Sequence, residues 1–137
     1  SAQGKASQID QGKKLFEYWC TSCHGPGIGN GQPYLPGENA LRAKYKGAVP
    51  GLLQERTDLT PAFVKLFVRQ GISIMPFFRK TEIDDQELDA IAAYLSRNNP
   101  AARRRDLARM VPPFGSLFFE YRNLLWEKFA GIGLSQY

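Results

Sequence analysis

The sequence predicts an all-α fold. Apolar residues recur at helical spacing in several stretches bounded by Gly and Pro, and no run alternates as a strand or closes as a hairpin. No internal repeat is present. With 137 residues, 43% of them apolar, the chain suits one globular domain rather than a disordered tail. Eighteen Lys and Arg stand against 13 Asp and Glu, a net charge of +5 that is too modest to argue for nucleic acid. No stretch of 18 or more apolar residues exists, so no transmembrane segment is expected. The opening SAQGKASQ lacks a charged segment followed by an apolar one, so a mature form with its signal peptide absent is expected.

Ser7 and Asp10 offer a capping pair ahead of the first helix, on which Ile9, Gly12, Phe16 and Cys20 share a face. That helix ends in the most informative segment of the chain. Both cysteines and the sole histidine occupy Cys20-Thr21-Ser22-Cys23-His24. A structural zinc needs four ligands, and no further Cys or His can supply them. A thioredoxin-like redox pair belongs beside a strand-helix-strand pattern, which is absent here. Two buried thiols with an unrelated histidine are one remaining reading; the favoured one is CxxCH as a covalent attachment site for one haem c, with both sulfurs bonded to the porphyrin and His24 on the iron.

Residues Gly25 to Gly51 contain seven glycines and four prolines, relieved by a short helix expected around Ala40 to Tyr45. A loop of that length is unusual in a small domain. A haem accounts for it, because the loop can wrap the apolar porphyrin as a wall of its pocket. Thr60-Pro61 then reads as N-cap and first helical position, with Phe63, Leu66, Phe67 and Gln70 at helical spacing until Gly71. Asp84 and Glu87 form a second capping box, and Leu88, Ile91, Ala92 and Leu95 line one face of a helix with Tyr94 beside them. This helix is expected to run to about Asn98.

Between those helices, Ile72-Ser73-Ile74-Met75-Pro76-Phe77-Phe78 has no helical period. An electron-carrying haem needs its second axial position filled, and with one histidine spent the donor falls to a methionine. Met75 and Met110 are the two available. A methionine is ordinarily adaptable core filler. Met75, in an apolar loop before a helix, suits the ligand role better than Met110, which follows the charged segment from Arg103 to Arg109. A thioether opposite His24 favours Fe(II), and exclusion of water by Phe77, Phe78 and Leu35 would raise the potential further. A six-coordinate iron offers no site to a substrate, so the chain reads as a carrier or acceptor rather than an enzyme by itself.

CTSCHG after a helix with glycine and aromatic residues, PYL in the loop beyond it, VRQGISIMPFF, and a helix bearing AAYL together resemble the class I c-type cytochromes over residues 8 to 98. The resemblance implies that the first and last helices of the core cross at Gly12, Phe16 and Tyr94. It implies that the Pro33 carbonyl receives the ligand imidazole N–H and that Leu35 lies against the haem. Within that family, ERTDLTPAFVKLFVRQGISIMPFFRKTEIDDQEL is most similar to the cytochrome subunits of flavocytochromes of the p-cresol methylhydroxylase and eugenol hydroxylase type. The implied partner is an FAD-containing dehydrogenase acting on para-alkylphenols, which would pass electrons one at a time to this chain and on to a downstream acceptor. A freely diffusing cytochrome carrier, an acceptor subunit for a quinoprotein or molybdenum dehydrogenase, and a haem ligand sensor are the other readings. Haem attachment to reduced thiols outside the cytoplasm makes a bacterial periplasm the expected location.

A cytochrome domain is thus expected over residues 1–100, with a basic, aromatic-rich helical extension over 101–137. The extension holds seven of the 17 aromatic residues, and six basic against three acidic ones. Asn99-Pro100 can open a helix that reaches Met110, Pro112-Pro113 ends it, and Leu117, Tyr121, Leu124, Leu125 and Phe129 mark a second amphipathic helix. That second helix either folds back on its own domain or embraces a partner.

Overall fold

The structure, a computed structural model, describes residues 2–27 and 35–110. Pro33 and the second helix expected in the extension lie outside the described residues. The chain divides into two units, Ser1–Arg103 and Arg104–Tyr137, and the account below concerns the first. The described residues form α1 (Ala2–Trp19), α2 (Thr21–His24), α3 (Pro36–Tyr45), a 3-10 turn (Leu53–Glu55), α4 (Pro61–Gln70), α5 (Asp85–Leu95) and α6 (Pro100–Met110), with no strand among them. This is the all-α architecture the sequence predicts.

The centre of the unit is the crossing of α1 and α5. Phe16 is completely buried against Tyr94, with ring centroids 5.8 Å apart, and Ile91, Ala92, Leu88 and Leu95 fill the same cluster. Burying each large side chain contributes about 1.5–3 kcal/mol. At Gly12 the helices come closest: a Cβ there would lie 1.9 Å from the Ala90 carbonyl oxygen and 2.9 Å from Tyr94 Cβ. Only glycine permits that approach, as the resemblance implied.

α1 starts five residues before the Ser7 capping pair. No proline interrupts residues 2–10, and once a helix is nucleated each further residue adds a hydrogen bond, so helix propagates through the internal cap. α4 follows the expectation closely at its ends, with Thr60 Oγ1 accepting from the Phe63 N–H at 3.2 Å and Gly71 at φ 67° ending it. Its buried face differs. Val64 and Val68 enter the core, whereas Phe63 and Leu66 are exposed and Phe63 stacks edge-on against Phe67 at 4.6 Å.

α5 carries the full capping box, Asp84 Oδ1 accepting from the Glu87 N–H at 2.8 Å and Glu87 Oε2 from the Asp84 N–H at 2.9 Å. It ends at Leu95, three residues short of Asn98, because the following side chains are used elsewhere. Ser96 Oγ donates back to the Ala92 carbonyl at 2.7 Å, and Arg97 and Asn98 both donate to the Gln54 carbonyl at 3.1 Å. Asn99 Nδ2 donates to the Leu59 carbonyl at 2.8 Å while Asn99 Oδ1 accepts from the Ala101 N–H at 2.9 Å. One residue thereby fastens the loop before α4 and caps α6, which spans Pro100–Met110 as Asn99-Pro100 predicted.

Candidate functional site

The CxxCH segment continues α1 through a tight turn. The Cys20 N–H donates to the Phe16 carbonyl at 2.9 Å, and the Cys20 carbonyl accepts from the N–H groups of Cys23 and His24 at 3.1 and 2.8 Å. Both thiols are free; Cys20 packs against the core and Cys23 is exposed. Burial first, and the nearby Cys23 second, push the Cys20 thiol up to about 12. A redox CxxC works through a thiol acidified well below its ordinary value, so this environment opposes the thioredoxin-like reading on physical grounds.

His24 closes the turn. Its Nδ1 is buried without a hydrogen-bond partner among the described residues, and burial lowers its pKa and favours the neutral imidazole. Neutral imidazole is the form that ligates a metal. α3 supplies the wall behind it: a Cβ at Gly37 would stand 2.7 Å from His24 Cε1 and 2.8 Å from both Nδ1 and the Cys23 carbonyl oxygen. This explains why α3 begins at Pro36 rather than Ala40. Pro36 takes the first helical position, where its missing N–H costs nothing, and Gly37 then falls against the ring. Leu35 is the half-buried N-cap residue, its carbonyl accepting from the Asn39 N–H at 2.9 Å. Pro33, paired with it by the resemblance, lies outside the described residues.

Met75 sits at the end of a four-residue turn in which the Ile72 N–H donates to the Met75 carbonyl at 3.1 Å and the Met75 N–H to the Ile72 carbonyl at 2.9 Å. Gly71 at φ 67° and Ser73 at φ 54° give the turn its left-handed positions. A Cβ at Gly71 would also meet the Met75 carbonyl oxygen at 2.7 Å. Met75 and Phe78 are half-buried against the core, whereas Phe77 is 60% exposed and Ile74 72%. Of the two phenylalanines expected to exclude water, it is Phe78 that packs inward.

Trp19 joins the two halves of the site. Its ring meets Phe78 edge-on at 5.9 Å, so the residue before Cys20 touches the loop that carries Met75. Neither Trp19 nor Gly37 stood out in the sequence. A lone tryptophan at a helix end and a glycine in a glycine-rich loop acquire meaning only from their neighbours. Met110, the other methionine, ends α6.

The donor set is chemically consistent with a haem. Two free thiols lie on one turn beside an imidazole whose Nδ1 has no partner among the described residues, cradled by a glycine whose replacement would force its neighbours to shift. A thioether is held in a structured apolar loop joined to that turn. Among the described residues, no three His, Cys, Asp or Glu side chains gather into a separate metal cluster, and no helix is long and apolar enough to cross a membrane.

Residues 7–95 match the family model described as cytochrome C oxidase, cbb3-type, subunit III. The chain belongs to this cytochrome c family. Over 90 residues it is 33% identical to the cytochrome c subunit of 4-cresol dehydrogenase [hydroxylating] from Pseudomonas putida, a match covering 66% of this chain and 62% of that relative. The chain therefore matches less than two thirds of the relative's length. No solved structure matches it. Membership in a cytochrome c family implies haem and electron transfer.

Proposed function

We propose that this cytochrome is the electron-accepting subunit of a flavoprotein dehydrogenase acting on para-alkylphenol-type substrates, exported to the bacterial periplasm. Cys20 and Cys23 would hold one haem covalently, and His24 and Met75 would ligate its iron. Bound haem supplies a one-electron couple between Fe(III) and Fe(II). The chain's own residues set its properties: Gly37 lets α3 close on the imidazole, Trp19 and Phe78 hold the two ligand segments together, and the soft Met75 sulfur favours the reduced iron. As the family resemblance implies, the Pro33 carbonyl would accept the imidazole N–H and Leu35 would lie against the haem.

The observation that carries the ligand reading is the His24 imidazole, kept neutral by burial and with its Nδ1 lacking a hydrogen-bond partner among the described residues, within a CxxCH turn that contacts the Met75 loop through Trp19 and Phe78. The partner reading is supported by the likeness to a 4-cresol dehydrogenase cytochrome subunit and by the aromatic composition of residues 101–137, a composition typical of interface anchors. Two measurements test it. Met75→Ala abolishes the sulfur-to-iron charge-transfer band and lowers the potential, while Met110→Ala does neither; the opposite pattern overturns the ligand assignment. Affinity purification of the holoprotein from its native cell brings down a flavin-containing chain that reduces the haem when given a para-alkylphenol. Recovery of the cytochrome alone, or with a quinoprotein or molybdenum enzyme, replaces the flavoprotein reading.

A further inference from the structure

The segment that carries Met75 leaves α4 at Gly71 and rejoins the helical core at Asp84, with one side chain gripping its returning limb. Arg69, in the last turn of α4, is three-quarters buried. Its NH1 donates to the Phe78 carbonyl at 3.1 Å and to the Ile83 carbonyl at 2.8 Å, and its NH2 donates to Asp85 Oδ1 at 2.9 Å. Immediately beside it, the Phe78 N–H donates to the Val68 carbonyl at 2.8 Å. Both backbone groups of Phe78 are therefore tied to the end of α4, and the loop 71–78 is closed at its neck. Within the neck the reciprocal Ile72 and Met75 bonds leave the turn little freedom. Asp85 also accepts from Lys80 at 2.8 Å, which keeps its carboxylate aligned on the guanidinium.

We propose that Arg69 is a positioning residue that holds Met75 in place as an axial ligand, so that its guanidinium sets the strength of the sulfur-to-iron bond without touching the haem. The inference rests on the reading of Met75 as the ligand. The geometry suits arginine alone, because three acceptors on two different segments are met by one planar fork; a lysine point charge cannot span them. Hydrogen bonds from a charged donor are also the stronger kind, and the two carbonyls left behind by its removal are partly shielded from water. A thioether ligand competes with added small ligands, so a loosened neck is read directly as an increase in their affinity.

The experiment compares ferric holoprotein of wild type, Met75→Ala, Arg69→Met, Arg69→Lys and Asn99→Ala in titrations with imidazole, each followed through the charge-transfer band and accompanied by a urea unfolding curve. Asn99→Ala removes two hydrogen bonds, to the Leu59 carbonyl and from the Ala101 N–H, neither of them made to residues 71–78, and serves as the stability control. Arg69→Met should raise imidazole affinity about tenfold and weaken the band at room temperature, with Arg69→Lys between it and wild type. Asn99→Ala should lower the urea midpoint but leave imidazole affinity within about twofold of wild type. Failure of Met75→Ala to alter the band refutes the ligand reading itself. With that reading intact, unchanged imidazole affinity in Arg69→Met, or an equal rise in Asn99→Ala, overturns the role given to Arg69. Should Arg69→Met not accumulate as holoprotein, Arg69→Lys carries the same test, and its affinity must then exceed wild type for the proposal to stand.

Discussion

Replacing Gly12 by alanine probes the crossing on which the fold depends. The added Cβ would sit 1.9 Å from the Ala90 carbonyl oxygen and 2.5 Å from its carbon, about 1.5 Å inside the 3.4 Å where ordinary contact begins. Both obstructing atoms are backbone, held within α5, so no side chain can swing aside; the helices themselves must separate. Overpacking of this kind costs about 1–3 kcal/mol, and a backbone obstacle places the cost at the upper end. Alanine recovers about 1 kcal/mol through its better helix propensity. A net loss of about 2 kcal/mol remains, a drop of up to roughly thirtyfold in the folding equilibrium. Urea unfolding of the holoprotein by far-UV circular dichroism measures it, with Gly47→Ala as reference. Gly47 lies at φ 87° with nothing within 4 Å, so its replacement bears only a backbone strain of about 1 kcal/mol. A Gly12→Ala protein as stable as wild type, or more stable, refutes the close-crossing argument.

Two other perturbations act nearer the site and on the surface. Gly37→Ala drives a methyl into His24 Cε1 and the Cys23 carbonyl, so the covalent haem should be retained while the spectrum and potential shift and stability falls by about 1–2 kcal/mol; redox titration reads the shift. The buried Arg56, stacked on Tyr45 at 4.7 Å, donates through Nε to Asp58 at 2.8 Å and holds the Asp58 carboxyl below its ordinary value against the opposing effect of burial. A depressed folded-state pKa contributes stability that is complete above the unfolded value of about 4 and is lost as pH falls through the folded value. Asp58→Asn should therefore cost about 1 kcal/mol at pH 7, discounted from the buried-pair range because Asp58 is half exposed, and the gap from wild type should narrow as pH falls below about 4. Urea midpoints at about pH 7, 5 and 3 test the sign, and a gap that widens on acidification contradicts it.

Local chemistry made much of this protein legible in one dimension. The Asp84–Glu87 box, the Thr60-Pro61 start and the Gly71 stop are written in adjacent residues, because a helix end is satisfied by its own neighbours. CxxCH is equally local, since its two sulfurs and its imidazole fall on one turn. Periodicity placed Gly12, Phe16 and Tyr94 on their helices, and only likeness to a known family implied that they meet, at one close helix crossing.

Other features were decided by contacts between segments distant in the chain. α5 stops at Leu95 because Arg97, Asn98 and Asn99 spend their side chains on the Gln54 and Leu59 carbonyls, 40 or more residues away. α3 starts at Pro36 and carries a glycine in its first turn because the His24 ring occupies the space a Cβ would need. Val64 and Val68, not Phe63 and Leu66, form the inner face of α4, a choice that periodicity leaves open and packing against the core resolves. Trp19 and Arg69 are unremarkable as letters, and the fold brings one against Phe78 and the other onto Phe78 and Ile83. Sequence alone determined which atoms could hold the haem, because donor chemistry belongs to residue types and short spacings. Tertiary structure decided how those donors are held, because a Cβ clash or a shared carbonyl exists only when segments far apart in the chain meet in space.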